Sequence, residues 1–348
     1  MATRLTSGSP CKLAGVSHGD GGTDRIARLI RKQVKAGKLM SDFILHHYPP
    51  SPVSEKIRTA LGLKQLSWQS VEQNRLPDRP ELFAMTGGYR RIPVLQIGAD
   101  IYCDTQCILR ELERRAPEPT LFPNDSNGMP YAVSRWTDGP LFEAAVRVAF
   151  APALDSLPPA LVADRTRLYL GPDGDMAKEA LDLPHTLAQL RAQLGWLDER
   201  LATGRPYLLG GQPGMPDLLA WYVVWFVRGR YAEAEDFFAE FPALNAWAER
   251  MQAIGHGTPT EMTPQQALAV AKNAEPQTSE QADPRDPQGL KPGMQVTVGP
   301  LTDSGEQPVA GIVRAVNRNT IALAREHELC GAVIVHFPRV GYRVSLAD

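Results

Sequence analysis

Cysteine is scarce in this chain: Cys11, Cys103, Cys107 and Cys330 are the only four in 348 residues, and they are scattered. That shortage excludes a small disulfide-stapled secreted fold and points to a reducing, cytoplasmic compartment. Long apolar runs are missing too. The most continuous one, Leu218 to Val227, falls short of the roughly 20 residues that cross a bilayer, so no membrane span is expected. Charge of one sign does not accumulate either. With 37 Lys and Arg against 39 Asp and Glu the net charge is -2, and the whole-chain basic field of a nucleic-acid binder is lacking. What remains is ordinary globular material, 43% hydrophobic and 22% charged, in a chain long enough for two or three cores.

Residues 1–40 are rich in Ser, Gly, Thr, Lys and Arg and have no continuous apolar core of a secretory signal. They read as a disordered N-terminal extension, with a weak mitochondrial-type targeting signal around Arg25 to Lys38 as the alternative. From Asp42 strands and helices alternate. Phe43 to Tyr48 is β-rich, Pro49-Pro50-Ser51-Pro52 turns the chain, and Val53 to Leu63 is helical. Leu66 to Val71 gives a second strand, Arg91 to Ile97 with Ile101-Tyr102 a hairpin, and Asp104-Thr105 caps a helix to about Arg115, for an order β-α-β-(α)-β-β-α. Residues 119–255 turn to long Leu/Ala/Arg-rich helices, at about 128–155, 175–203, 216–234 and 242–254, and define an all-α domain. Residues 256–287 read as a linker holding one short helix near Thr263 to Asn273. Five short Val/Ile-rich runs in residues 288–348 suggest a small all-β, barrel-like domain.

Chemistry concentrates in residues 43–113. Ser51 places a hydroxyl at a helix start, where free backbone N–H groups and the helix dipole favour an anion such as a thiolate. Ser54, one turn later, is the rival hydroxyl. Pro93 in Arg91-Ile92-Pro93-Val94-Leu95 enters a strand with no N–H to give, which leaves neighbouring backbone for an extended peptide. Asp104-Thr105 either caps its helix or faces a ligand's ammonium and carboxylate. Cys103 and Cys107 suit core packing, with redox chemistry as the alternative. His46 and His47 are adjacent on a strand and point to opposite faces, so no metal site is expected.

These three motifs, in this order, resemble the N-terminal thioredoxin-like domain of glutathione transferases: Tyr48 to Arg58 the serine-type loop and first helix, Arg91 to Leu95 the cis-proline motif, Asp104 to Ile108 the acid-plus-hydroxyl motif. Leu121-Phe122-Pro123 resembles the family's linker, and Tyr207 to Gly211 with Pro216 to Ala220 its buried helix start. The resemblance covers about 42–255 and makes residues 41–118 a glutathione-binding domain.

It implies that Ser51 stabilises the glutathione thiolate, that Ile92 and cis-Pro93 meet the cysteinyl part beside Arg91, and that Asp104 and Thr105 take the γ-glutamyl group. Glutathione is the implied cosubstrate, a small hydrophobic electrophile the second substrate, detoxification the role, and a homodimer the assembly. Trp136, Phe142, Phe150, Trp221 and Tyr222 are available to line the electrophile pocket. Two departures stand out: Asp104-Thr105 replaces the usual acid-serine pair, and Gly214 sits where a Ser or Thr usually starts the buried helix. The end of the chain (GAVIVHFPRVGY) resembles the C-terminal region of a bacterial and fungal group of glutathione-transferase-like proteins. His336, Arg339 and Tyr342 there are either ligand groups or a solvated strand edge. The sequence leaves open a conjugating transferase, a glutathione-dependent isomerase, reductase or lyase, and a non-catalytic binding protein.

Overall fold

The computed structural model describes residues 43–347; the extension read over residues 1–40 lies outside them. Strand β1 (Ile44–His47) is buried at all four positions, as a central strand covered on both faces must be. Ser51 caps α1 (Pro52–Leu63), whose first helical position is Pro52, where no helical N–H is lost. β2 (Ser67–Glu72) runs parallel to β1. After α2 (Pro80–Thr86), β3 (Val94–Ile97) and β4 (Asp100–Cys103) form the expected antiparallel hairpin, and α3 (Thr105–Arg115) follows.

The helical part comprises α4 (Met129–Trp136), α5 (Phe142–Phe150), α6 (Pro159–Leu170), α7 (Met176–Leu181), α8 (Leu183–Leu201), α9 (Met215–Arg228), α10 (Ala234–Phe238) and α11 (Pro242–Ile254). The single helix expected over 128–155 is broken by a π turn at Thr137–Leu141, where Pro140 sits and Gly139 leaves helical geometry. α6 has no counterpart in the sequence reading. Pro158-Pro159 looks like a break, yet Pro159 occupies the first position of the helix. The departure at Gly214 also has a cause: a Cβ there would stand 2.5 Å from Pro123 Cδ. Asp217 takes over the cap, accepting from Gly214 N at 3.0 Å, Leu208 N at 2.9 Å and Trp247 Nε1 at 2.8 Å.

Residues 256–287 hold the expected helix, α12 (Pro264–Lys272), and also a strand that was not read there, β5 (Thr258–Glu261), an exposed edge pairing with β2. The five later runs are strands β6 (Gln295–Pro300), β7 (Val309–Val316), β8 (Thr320–His327), β9 (Gly331–Pro338) and β10 (Tyr342–Leu346). Their barrel-like closure is not found among the described residues: β10 pairs with β6 alone. β9 instead runs parallel to β4, with Asp100 opposite Ile334 and Tyr102 opposite His336, giving one sheet in the order β10-β6-β7-β8-β9-β4-β3-β1-β2-β5. A core follows the pairing. Leu82, Met85, Val94 and Ile101 pack with Val296, Val313, Val335 and Phe337, so the β3–β4 hairpin is covered by the C-terminal strands.

His46 and His47 serve this interior. Gln96 donates its amide to Gly98 O and Ala267 O, which turns its oxygen to His46 Nε2 at 2.9 Å; His46 Nδ1 faces Gln73 Nε2 at 3.3 Å. The ring is therefore held neutral, and burial lowers its pKa to about 4 and that of His47 to about 3. Below the ordinary 6.5 the unfolded chain binds these protons first, so stability is complete above pH 6.5 and declines as pH falls toward 4. Each histidine should remove about 3 kcal/mol by pH 4. Urea titrations of wild type and His46→Gln check this: the variant's loss between pH 7 and pH 4 should be about 3 kcal/mol smaller, and an identical loss in both would reject it.

Candidate active site

A cleft of about 160 Å³ opens where α1, the β3 lead-in and the start of α3 meet helices of the all-α part. Ser51 lines it; Ser54 does not. The Ser51 oxygen already accepts from Ser54 N at 3.1 Å, which leaves the hydroxyl proton free to donate into the cleft. Ser54 Oγ is buried and has no hydrogen-bond partner among the described residues.

Across from Ser51 the Ile92–Pro93 peptide is cis. The pairing of β3 begins only at Val94, so the backbone of Ile92 stays outside the ladder and faces the cleft. Arg91 lines the same wall, but its guanidinium is committed: Nε meets both Glu306 oxygens at 2.9 Å, and Nη2 reaches Ser304 Oγ at 3.3 Å. Glu306 and Ser304 lie between β6 and β7.

Asp104 adopts a left-handed backbone (φ 70°) at the start of α3 and accepts from Gln106 N at 2.8 Å. Its other oxygen accepts from Tyr342 Oη at 3.2 Å. Among the described residues no cation stands within ion-pair distance of it. Burial raises its pKa, with Asp138 adding to the shift and Gln106 N–H, Lys56 and Arg91 opposing it. A ligand ammonium would supply the missing counter-charge. Thr105 beside it accepts from Lys56 Nζ at 3.2 Å.

Lys56 is a residue the sequence reading gave no role. Its ammonium is buried, pairs with Asp138 at 2.6 Å and lies 4.3 Å from the Tyr222 ring centroid. Asp138 also accepts from Tyr222 Oη at 2.8 Å, so the π turn exists where α1 and α9 both reach it. Arg79, Arg90 and Arg165 complete a cationic wall. Arg79 is satisfied by carbonyls of Asn74, Arg75 and Arg90; Arg165 donates to Tyr48 Oη at 3.2 Å and pairs with Asp164. Arg90 pairs with Asp164 at 2.6 Å, and its buried Nε has no partner among the described residues. Nothing local marked these arginines: Arg165 sits on the unread helix α6, which also brings Leu168 and Tyr169.

Of the aromatic residues proposed for an electrophile pocket, Phe142 and Tyr222 line the cleft. Trp221 is core and donates to Glu55 at 3.2 Å, Trp136 donates to Gln193 at 2.8 Å, and Phe150 packs on Phe226. Cys103 and Cys107 are buried, and burial pushes both thiols well above their usual pKa, which suits core packing. Of the three residues singled out near the chain's end, His336 pairs with Asp100 and stacks on Tyr102, Arg339 pairs with Asp286, and only Tyr342 reaches the cleft's residues.

A thioredoxin-like sheet with a cis-proline, a capping hydroxyl at its first helix and a following all-α domain defines the glutathione transferase fold. The chain belongs to the glutathione S-transferase family. Residues 45–120 match the family's N-terminal domain and residues 175–250 its C-terminal domain. A GST-like protein from Pseudomonas syringae of known crystal structure is 31% identical, with a TM-score of 0.72; the match covers 88% of this chain and all of that one. Glutathione S-transferase U4 of Arabidopsis thaliana is 24% identical over 209 residues, 59% of this chain and 81% of that protein. Probable maleylacetoacetate isomerase 1 of Drosophila melanogaster is 32% identical over 88 residues, 24% of this chain, which spans only 35% of that protein.

The Lys56–Asp138 pair ties α1 to the helical part, and removing the charge of Asp138 strands the buried Lys56 ammonium. Asp138→Asn should lower stability by about 3 kcal/mol in urea unfolding. Lys56→Met combined with Asp138→Asn should recover most of it, because the amide oxygen introduced at position 138 can still accept from Tyr222; equal losses would show that the ion pair is not what the helices depend on.

Proposed function

We propose that this protein binds glutathione in the cleft and, through Ser51, holds its sulfur as the thiolate for attack on a small electrophile. The observation that carries this is the free hydroxyl proton of Ser51 at the N-terminus of α1, facing the cis Ile92–Pro93 peptide across the cleft. A thiolate there would receive the Ser51 O–H and the field of the helix start, both of which favour the anion over the thiol. Ile92 would pair its backbone with the cysteinyl unit, Asp104 would take the γ-glutamyl ammonium, and Thr105 with the first turn of α3 the γ-glutamyl carboxylate. Arg91, held by Glu306, would steady the Ile92 backbone rather than grip the ligand.

In conjugation the thiolate adds to an electrophilic carbon, the leaving group departs with its electron pair, and glutathione is consumed. Phe142, Leu168, Tyr169 and Tyr222 offer the apolar wall for such an electrophile. A detoxifying role in a reducing cytoplasm fits this reading. A homodimer would have to use a surface other than the β4 edge, which β9 occupies.

A second reading, glutathione-dependent isomerisation of an anionic substrate, draws support from Arg90 and Arg165 beside that wall and from the likeness to the Drosophila isomerase. There the thiolate adds, a bond rotates and the thiolate leaves again. Thiol counting separates the two: conjugation removes one thiol per turnover and isomerisation none.

Millimolar glutathione at about 100 times its dissociation constant should stabilise the protein by about 2.7 kcal/mol, seen as a rise in Tm. Ser51→Ala should keep that shift but lose roughly 10²-fold in kcat with 1-chloro-2,4-dinitrobenzene and lose the ultraviolet thiolate band. Ser54→Ala should retain both. A wild-type protein with no Tm shift rejects the glutathione site, and a Ser51→Ala variant of full activity rejects the serine's role.

A further inference from the structure

Two of the cleft's polar groups are fixed by residues from the end of the chain, outside both family domains. At one end Glu306, its side chain almost fully buried, takes the guanidinium of Arg91, the residue directly before Ile92. At the other, Tyr342 donates to Asp104 Oδ2 at 3.2 Å. The turn between β9 and β10 lies along the same helix start: Gln106 Nε2 donates to Val340 O at 3.3 Å. These contacts follow from the β4–β9 pairing, which sets the C-terminal strands beside the first domain's sheet.

The hydroxyl of Tyr342 also meets that of Tyr89, a cleft-lining residue, at 3.0 Å. Chemistry orients the chain. An ionised carboxylate only accepts, so Tyr342 gives its proton to Asp104 and Tyr89 gives its own to Tyr342. Both rings are buried against Phe337, at 5.7 and 5.8 Å between centroids, so packing fixes the positions of both phenol oxygens. The carboxylate of Asp104 thus points into the cleft because a donor from β10 holds its second oxygen.

We propose that the C-terminal strands complete the ligand site in cis, with Tyr342 as the positioning residue for Asp104 and Glu306 as the positioning residue for the Arg91–Ile92 backbone. This rests on the glutathione reading, and it assigns to the appended strands a part in recognition of the γ-glutamyl end. The groups facing Asp104 are Lys56 from α1, Arg91 before β3, Tyr89 after α2, Asp138 in the π turn, Cys103 and Cys107 at the ends of β4 and α3, and Tyr342 from β10. Deleting the Tyr342 hydroxyl removes one hydrogen bond to the charged form and leaves the rest.

Tyr342→Phe retains the ring and its packing, so the full-length protein should fold. Its KM for glutathione should rise about 5- to 10-fold with kcat nearly unchanged, the converse of Ser51→Ala, since a hydrogen bond to a charged group is involved. Glu306→Ala should act in the same direction. A structural role alone would not move the second readout: in ligand-free protein carrying carbon-13 at the aspartate Cγ positions, the Asp104 resonance, assigned with Asp104→Asn, should titrate at higher pH in Tyr342→Phe than in wild type. Unchanged KM and unchanged titration overturn the proposal. If wild type binds no glutathione, the site reading fails and the recognition role with it, while the titration still decides whether Tyr342 sets the Asp104 carboxylate.

Discussion

An unpaired strand edge is a row of backbone donors and acceptors that must be satisfied by water or by another strand. β4 would present such an edge with four buried residues, Asp100 to Cys103, on it. β9 takes it, and much else is contingent on that pairing. It brings His336 onto Tyr102, buries the hairpin's apolar face under Val335 and Phe337, and carries the turn into β10 up to the first turn of α3. Asp100 shows how tightly the junction is made: its carboxylate accepts from Gln277 N at 2.7 Å, Thr278 Oγ1 at 2.5 Å and His336 Nε2 at 3.0 Å, and these donors hold its pKa down against the cost of burial.

The cleft is built on a similar balance of charge. Five cations line it, and Asp138, Asp164 and Glu306 are spent on four of them: Lys56, Arg90, Arg165 and Arg91. Arg79 is satisfied by carbonyls alone. Among the described residues Asp104 is left without a cation, and that exception is what the proposed ammonium contact requires. A carboxylate already paired would have to break its pair before it could take an ammonium, whereas one held by a backbone N–H and a phenol gains from the ligand's charge. Ser51 follows the same logic with opposite sign, since its acceptor side is used by the helix and its donor side is open.

Much of this was legible in the sequence, and the reason is local. A cap, a proline at the entry to a strand and an acid-hydroxyl pair at a helix start each work within a few residues, so Ser51, Pro93 and Asp104-Thr105 could be read directly. The strands of the C-terminal region could be read as well, from β-branched runs between turn residues. What they pair with could not, because the sequence of β9 carries no mark that its partner is β4, some 230 residues earlier. α6 was hidden for a different reason: a Pro-Pro pair marks a break and a helix start alike. With it went Arg165 and Tyr169. In the sequence Tyr342 stands out only as a group near the end of the chain, since its contact with Asp104 exists only through the sheet.

This distance has a consequence for assembly. Every residue lining the cleft lies between Tyr48 and Tyr222, and a chain synthesised from its N-terminus has them before β9 and β10 exist. Until those strands arrive, β4 is an open edge, Asp104 lacks its phenol and Arg91 lacks Glu306. The cleft is therefore lined by nearby sequence, while two of its polar groups are held by distant sequence. On the proposed reading, the contacts that complete the cleft also cover the edge most exposed to wrong pairing, which would join stability and ligand recognition in one set of residues.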